Sequence, residues 1–282
     1  DMSLSVSLDY SPGGGKKKAV EWSSDGLSGL LANGPSQLLS PPFLSFLSDM
    51  RRFNSHAPAL LELHPDDPRR AVTTAQYLRE NGYGAPFCVY YLLPMMAALW
   101  SASLDDVLNF PAEQLIGFLC NHRMLQVFDR PQWKTVAGRS RKYTEKVGAI
   151  LGKDHVHLST PVVSVKRVVV PSKAGAAEHA YELFTTDGVS LGAFDKVIFA
   201  AHPPRVAEML RAGANDDDDD EGNVVVSSSS DLIDTLSEIK YADNVVYVHS
   251  DPKLMPANPS AWSSWNCMGK YDELASRAEG VA

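Results

Sequence analysis

The chain has 282 residues, 44% of them hydrophobic and 21% charged, with a formal net charge of -8. That length can bury a large core in one domain or two lobes, and the composition is that of an ordinary folded protein. Asp216 to Glu221 put six acidic charges in one run, which leaves the remainder near -2 and argues against a nucleic-acid partner. Cys88, Cys120 and Cys267 are odd in number and have no metal-like spacing, so they read as free thiols in a reducing intracellular compartment. No run reaches the roughly 18 apolar residues of a membrane span, although contact with a membrane surface stays open.

In chain order, Ser3 to Leu8 alternates Ser with Leu and Val at a strand's period of two, and Val20 to Trp22 reads as its hairpin partner. The turn between them contains Gly13-Gly14-Gly15-Lys16. It lacks the earlier Gly and the following Ser or Thr of a phosphate loop, so a solvated turn is expected. Ser40-Pro41-Pro42 starts a helix whose apolar face is Phe43, Phe46, Leu47, Met50 and Phe53. After a polar linker comes a short helix at about 73–81, which Gly82 should stop.

The densest apolar stretch runs from Tyr90 to Arg141. Leu92, Leu93, Met95, Met96, Leu99 and Trp100 form a helix-length run that is apolar on all sides, the mark of a segment buried in protein, and Pro94 should bend it. A helix from about Pro111 places Leu115, Phe118, Leu119 and His122 on one stripe. Arg130, Gln132 and Trp133 then form a loop. A further helix capped by Ser140 is expected to turn Tyr143, Val147 and Ile150 inward. Beyond Lys153 the character changes to strands, expected at 155–160, 162–170, 180–186 and 196–201, with Asp187-Gly188 as a turn. The low-complexity stretch 212–230 reads as a disordered acidic and Ser-rich insertion. A helix near 231–239 and a strand near 245–249 follow.

Five words in this sequence, DMSLSVSLD, YLLPMMAALWSAS, NFPAEQLIGFLCNHRMLQ, RPQWKTVAGRSRKY and LMPANPSAWSSWN, resemble a family of FAD-dependent oxidoreductases of the flavin amine oxidase and phytoene desaturase type. They look like members that form the front half of plant-type cyclopropane fatty acid synthases, or that occur as separate proteins of unknown substrate. The resemblance implies an α/β (α+β) fold, with a mainly helical substrate lobe and strands of an incomplete FAD-binding lobe. The expected divisions are a hairpin of the substrate lobe at 1–22, the helical substrate lobe at 23–152, part of the FAD-binding lobe at 153–211, the insertion at 212–230, and a return to the substrate lobe at 231–282. It also implies FAD as cofactor and a small apolar or lipid-like substrate; the location follows from the thiols alone, as a reducing compartment such as cytoplasm or plastid, with the organelle left open.

A dinucleotide site needs a glycine-rich turn between a strand and a helix, so that backbone amides can approach the pyrophosphate. Gly82 and Gly84 have the first spacing of that pattern, but Phe87 stands at the third position. The resemblance therefore implies a central fragment, with the fingerprint before Asp1 and the closing FAD motif after Ala282. It assigns an adenine contact to the backbone of Val162 and an approach to the flavin to Ala201 and His202. From the residues alone, Val162 is one more β-branched strand residue.

Trp100, Asn121, His122, Trp133 and Trp262 have two readings each, as core or as walls of a substrate cavity; Trp265 shares the choice. His155 and His157 have no third ligand at metal spacing, and no G-x-S-x-G is present. No catalytic residue is identified, as expected where the cofactor carries the electron chemistry. The rival expectation is a non-catalytic remnant that acts as a binding module.

Overall fold

The computed structural model describes residues 3–10, 18–126, 131–171, 177–214 and 228–279. Among the described residues helix takes about 53% and strand about 16%, the latter in small sheets, so the fold is mixed α/β. The chain divides into two compact units, residues 1–134 with 244–282 and residues 135–243.

The first unit is built on a three-stranded sheet in the order β2-β1-β6. Strand β1 (Leu4–Tyr10) pairs antiparallel with β2 (Lys18–Ser23), which is the expected hairpin, and Val6 lies opposite Trp22. Its other edge pairs in parallel with β6 (Trp265–Lys270), so the two ends of the unit's sequence share one ladder. Leu4, Val6 and Leu8 are buried, as the alternation predicts. Ser5 is buried as well, because its hydroxyl donates to Asn266 Oδ1 at 2.7 Å. The connecting residues 11–17, where the glycine-rich turn was expected, lie outside the described residues.

Helices α1 (Gly26–Leu30), α2 (Pro41–His56) and α3 (Thr74–Glu80) follow. Pro at the first turn starts α2 and Thr73 caps α3 by accepting from the amide of Gln76. Gly82 takes φ +62 just beyond α3, as the stop signal requires. Phe43, Phe46 and Phe53 on α2 are each at most 2% exposed and meet the rings of Trp22, Tyr83, Phe87, Tyr90 and Tyr91.

The apolar run then forms α4 (Ala85–Phe87), a π-helical turn at Cys88–Leu92, and α5 (Leu93–Trp100). Pro94 supplies the physical reason for the irregularity. It has no N–H for the carbonyl four residues back, Tyr90 O, and the indole N–H of Trp22 donates to that oxygen at 3.0 Å instead. Helices α6 (Leu104–Asn109) and α7 (Ala112–Asn121) complete the stack. Ser103 and Asp106 form a reciprocal capping box on α6. In the returning segment, Glu21 is only 4% exposed, and its carboxylate accepts from Ser7 Oγ and from the amides of Ala257 and Asn258. These bonds fix the Met255–Pro259 loop to β2. Helix α11 (Tyr271–Glu279) closes the unit.

The second unit contains helix α8 (Arg139–Leu151) and an antiparallel sheet of β3 (Val162–Pro171), β4 (Ala177–Thr185) and β5 (Ser190–Phe194). The Asp187-Gly188 turn joins β4 to β5, with Gly188 at φ +73. Helix α9 (Pro203–Ala214) packs on β3, and α10 (Ser228–Glu238) packs on α9. Gly213 permits the close approach: a Cβ there would stand 2.0 Å from the carbonyl oxygen of Val165.

Several expectations are corrected here. Ser140 does not cap α8; Gly138, at φ +82, takes the cap position. No residue of α8 is buried, and Tyr143, Val147 and Ile150 are exposed, because no element among the described residues covers their stripe. Residues 155–160, 196–201 and 245–249 form no ladder, and Ile198 and Val248 are more than nine-tenths exposed. Their β-forming side chains have no neighbouring backbone edge to pair with, and strand propensity without pairing does not make a strand. The expected insertion is shorter, since 212–214 belong to α9 and 228–230 to α10; residues 215–227 lie outside the described residues. By compactness the chain divides at 134/135 and 243/244, which does not decide between substrate lobe and FAD-binding lobe as divided at 152/153 and 230/231.

Candidate functional site

At one end of the first unit's sheet lies a cleft of about 520 Å³. Its floor is a register pair: Leu4 at the start of β1 lies opposite Trp265 at the start of β6. This end of the sheet is sealed by polar bonds. Leu4 N–H donates to Ser24 Oγ at 3.0 Å, and Ser264 N–H donates to Ser3 Oγ at 3.1 Å. Tyr91 and Met95 form a second wall, four residues apart across Pro94 where the π-turn passes into α5. Arg123 and Met124 enter from the end of α7, and Pro131, Gln132 and Trp133 from the loop beyond.

The end of α7 sets the position of Arg123. His122 is the last half-helical residue, and Arg123 takes the left-handed conformation at φ +52. Its N–H bonds to the carbonyl of Cys120 at 3.0 Å, and Met124 N–H bonds to that of Leu119 at 2.9 Å. This is a Schellman ending with Arg at the position where Gly is least strained.

An aromatic ladder backs the cleft. Trp100 meets Phe110 with centroids at 4.5 Å and Phe118 at 5.5 Å; Phe118 meets His122 at 4.4 Å; His122 stacks on Trp133 at 5.7 Å and 18°. The helical core is thereby connected, ring by ring, to the cleft wall.

Of the expected cavity residues, Trp133 lines the cleft and His122 supports it from behind. Trp100 packs deeper in the ladder. Asn121 is exposed at the end of α7. Trp262 lines a different depression beside Glu21 and Met268, and its indole N–H is taken by Pro256 O at 2.8 Å. Arg130 lies outside the described residues. Tyr91, Met95, Arg123 and Asp25 were not anticipated. An all-apolar run does not show which of its faces meets a cavity, and a basic residue at a helix end reads as an ordinary charge at the dipole's negative pole.

The residues expected to meet FAD stand in the second unit. Val162 is half-buried at the start of β3 and lies opposite Thr185. A bulge between Val162 and Ser164 shifts the register, and the buried Ser164 hydroxyl has no hydrogen-bond partner among the described residues. Ala201 and His202 are exposed before α9. The His202 carbonyl accepts from the amides of Arg205 and Val206, and its Nδ1 lies 3.0 Å from Tyr241 Oη.

Nucleophilic chemistry finds no candidate among the thiols. Burial pushes the Cys88 thiol up to about 12 and raises Cys120 and Cys267 as well, so each stays protonated at neutral pH. Among the described residues no cluster of three or more His, Cys, Asp or Glu could hold a metal, and no helix is long and apolar enough to cross a membrane. What the cleft offers is a mixed surface, in which apolar and aromatic side chains such as Leu4, Tyr91, Met95 and Trp265 share the lining with Ser3, Ser24, Asp25, Arg123 and Gln132. No protein-family model, no curated protein and no solved structure matches this chain.

Proposed function

We propose that the first unit is the substrate-binding part of an FAD-dependent oxidoreductase of the amine oxidase and desaturase type, acting on an apolar substrate. The observation that supports it is the cleft. Its walls are Leu4, Tyr91, Met95, Met124, Trp133 and Trp265, with Ser24, Asp25, Arg123 and Gln132 among its polar groups. Such a surface binds and orients an apolar molecule and keeps water from it. In an oxidoreductase of this kind the flavin, when bound, accepts the electrons, so the protein's part is orientation and dryness.

The described residues answer only part of what FAD requires. The bulged start of β3, at the edge of its sheet, together with the unpartnered Ser164 hydroxyl, fits a heterocycle that takes backbone and hydroxyl hydrogen bonds. For the pyrophosphate they do not fit. All three strands of that sheet are antiparallel, and no strand, glycine-rich turn and helix follow one another among the described residues. Under this proposal the described residues supply no pyrophosphate site, and no step is assigned to the cofactor.

A visible spectrum of the purified full-length translation product that contains this sequence tests the proposal. Flavin absorption near ~450 nm that survives gel filtration is expected. A folded product without flavin would overturn it and leave a non-catalytic binding module as the better account of the cleft.

A further inference from the structure

We infer that the cleft takes an amphipathic monocarboxylate, a long hydrocarbon chain with one carboxylate head, and that Arg123 binds the head. This rests on the preceding reading only in treating the cleft as a ligand site.

Three observations carry it. First, the lining is amphipathic, with Met95, Trp133 and Trp265 beside Ser24, Asp25 and Gln132, and the volume of about 520 Å³ falls in the range of roughly 300–1,000 Å³ typical of small-molecule sites. Second, Arg123 is the one cation among the described lining residues, and its guanidinium makes no hydrogen bond or ion pair there. A guanidinium presents a planar fork of donors matched to a carboxylate. Third, four non-glycine residues of the described chain have positive φ, and Arg123 alone among them lines the cleft. Its position in the Schellman ending would be filled with less strain by Gly, so the side chain is held there at a conformational cost that its helix does not require.

The head group follows from charge. Asp25 is in the same lining and is the one carboxylate among the described residues there. A single negative charge can pair with Arg123 and tolerate Asp25, whereas a phosphate monoester, with up to two charges, meets more repulsion than one Arg offsets. A cationic amphiphile would satisfy Asp25 but would leave Arg123 facing a like charge.

The test uses the 282-residue protein and three probes below their micelle concentrations: dodecanoate, dodecanol and dodecyl phosphate. Binding is followed by calorimetry and by tryptophan fluorescence, to which Trp133 and Trp265 report from the walls. Dodecanoate is expected to bind at least about tenfold more tightly than either of the others, as for one charge-assisted contact. Arg123→Gly should remove that preference, leave dodecanol binding unchanged, and melt no lower than the parent, since Gly relieves the left-handed strain. Arg123→Lys should keep part of the preference, and Trp133→Ala should weaken acid and alcohol alike. Equal binding of acid and alcohol, tighter binding of the phosphate, an unchanged preference in Arg123→Gly, or no binding of any probe would overturn the inference. None of these readouts involves flavin, so a flavin-free full-length product would sink the oxidoreductase proposal and leave this one standing.

Discussion

The two units use their apolar side chains differently. In the first, aromatic residues from three stretches of sequence meet around Phe46, which is fully buried and within 6.1 Å, centroid to centroid, of Trp22, Tyr90 and Tyr91. In the second, the buried apolar residues are Val165, Ala180, Val206, Ala207 and Ile233, mostly small, while Tyr143, Ile150 and Ile198 are well over half exposed. A pattern that produces helix or strand locally is therefore common to both, and it is around α2 and residues 85–100 of the first unit that large apolar faces meet one another, while Val245 to Val248 of the same unit stay exposed. The cleft is positioned by the well-packed unit, as a site that must hold a ligand in a fixed geometry requires.

The largest effect is expected from Phe46→Ala, which should cost the first unit about 3–5 kcal/mol by removing a buried ring and leaving a cavity. The check is urea denaturation followed by tryptophan fluorescence. All five Trp, namely Trp22, Trp100, Trp133, Trp262 and Trp265, lie among the first unit's described residues. A loss below 1 kcal/mol would mean that the aromatic cluster is not the core.

The second unit should respond most to Gly213→Ala. A methyl group would meet the Val165 carbonyl, and the forced separation of α9 from β3 is expected to cost about 1–3 kcal/mol. Circular dichroism melts would show it, and an unchanged melt would contradict the close approach. On the exposed stripe of α8, Ile150→Ser should change stability by no more than about 0.5 kcal/mol, because the side chain is 78% exposed. It should also reduce self-association seen by light scattering; a large loss of stability would mean that the stripe is covered.

The smallest effect concerns the thiols. Burial raises Cys88 to about 12, so the folded protein keeps it protonated, and iodoacetamide at pH 8 should leave it unmodified while a denatured sample is alkylated there. By linkage, this raised value contributes stability that is present below the ordinary thiol range and is lost as pH climbs through it toward 12. Rapid labelling of Cys88 in the folded protein, read by peptide mass spectrometry, would contradict its burial.

What was legible in the sequence follows the same division. The β1–β2 hairpin, α2, α3 and α7 could be read because alternation, Pro at a first turn and Gly at a stop act through neighbouring residues. Trp22 could be placed in a strand, but its bond to Tyr90 O depends on a carbonyl 68 residues away in sequence, to which Pro94 has no N–H to give. Glu21 likewise looks like a solvent-facing strand residue until the amides of Ala257 and Asn258 are brought to it. In the site, Trp133 was legible as an aromatic on a loop. Arg123 was not, since its meaning lies in a left-handed φ that nothing in the residue's type announces. The expected strands at 196–201 and 245–249 failed for the opposite reason: their composition is right, but pairing is a property of a partner.

Native-state hydrogen exchange tests the contrast between the units most directly. Amides of β1 and of residues 88–100 should exchange only through the largest opening of the protein, while those of β3 to β5 should exchange through an opening of lower free energy. Equal protection of both sets would contradict the account and would show that the second unit is as firmly packed as the one that carries the cleft.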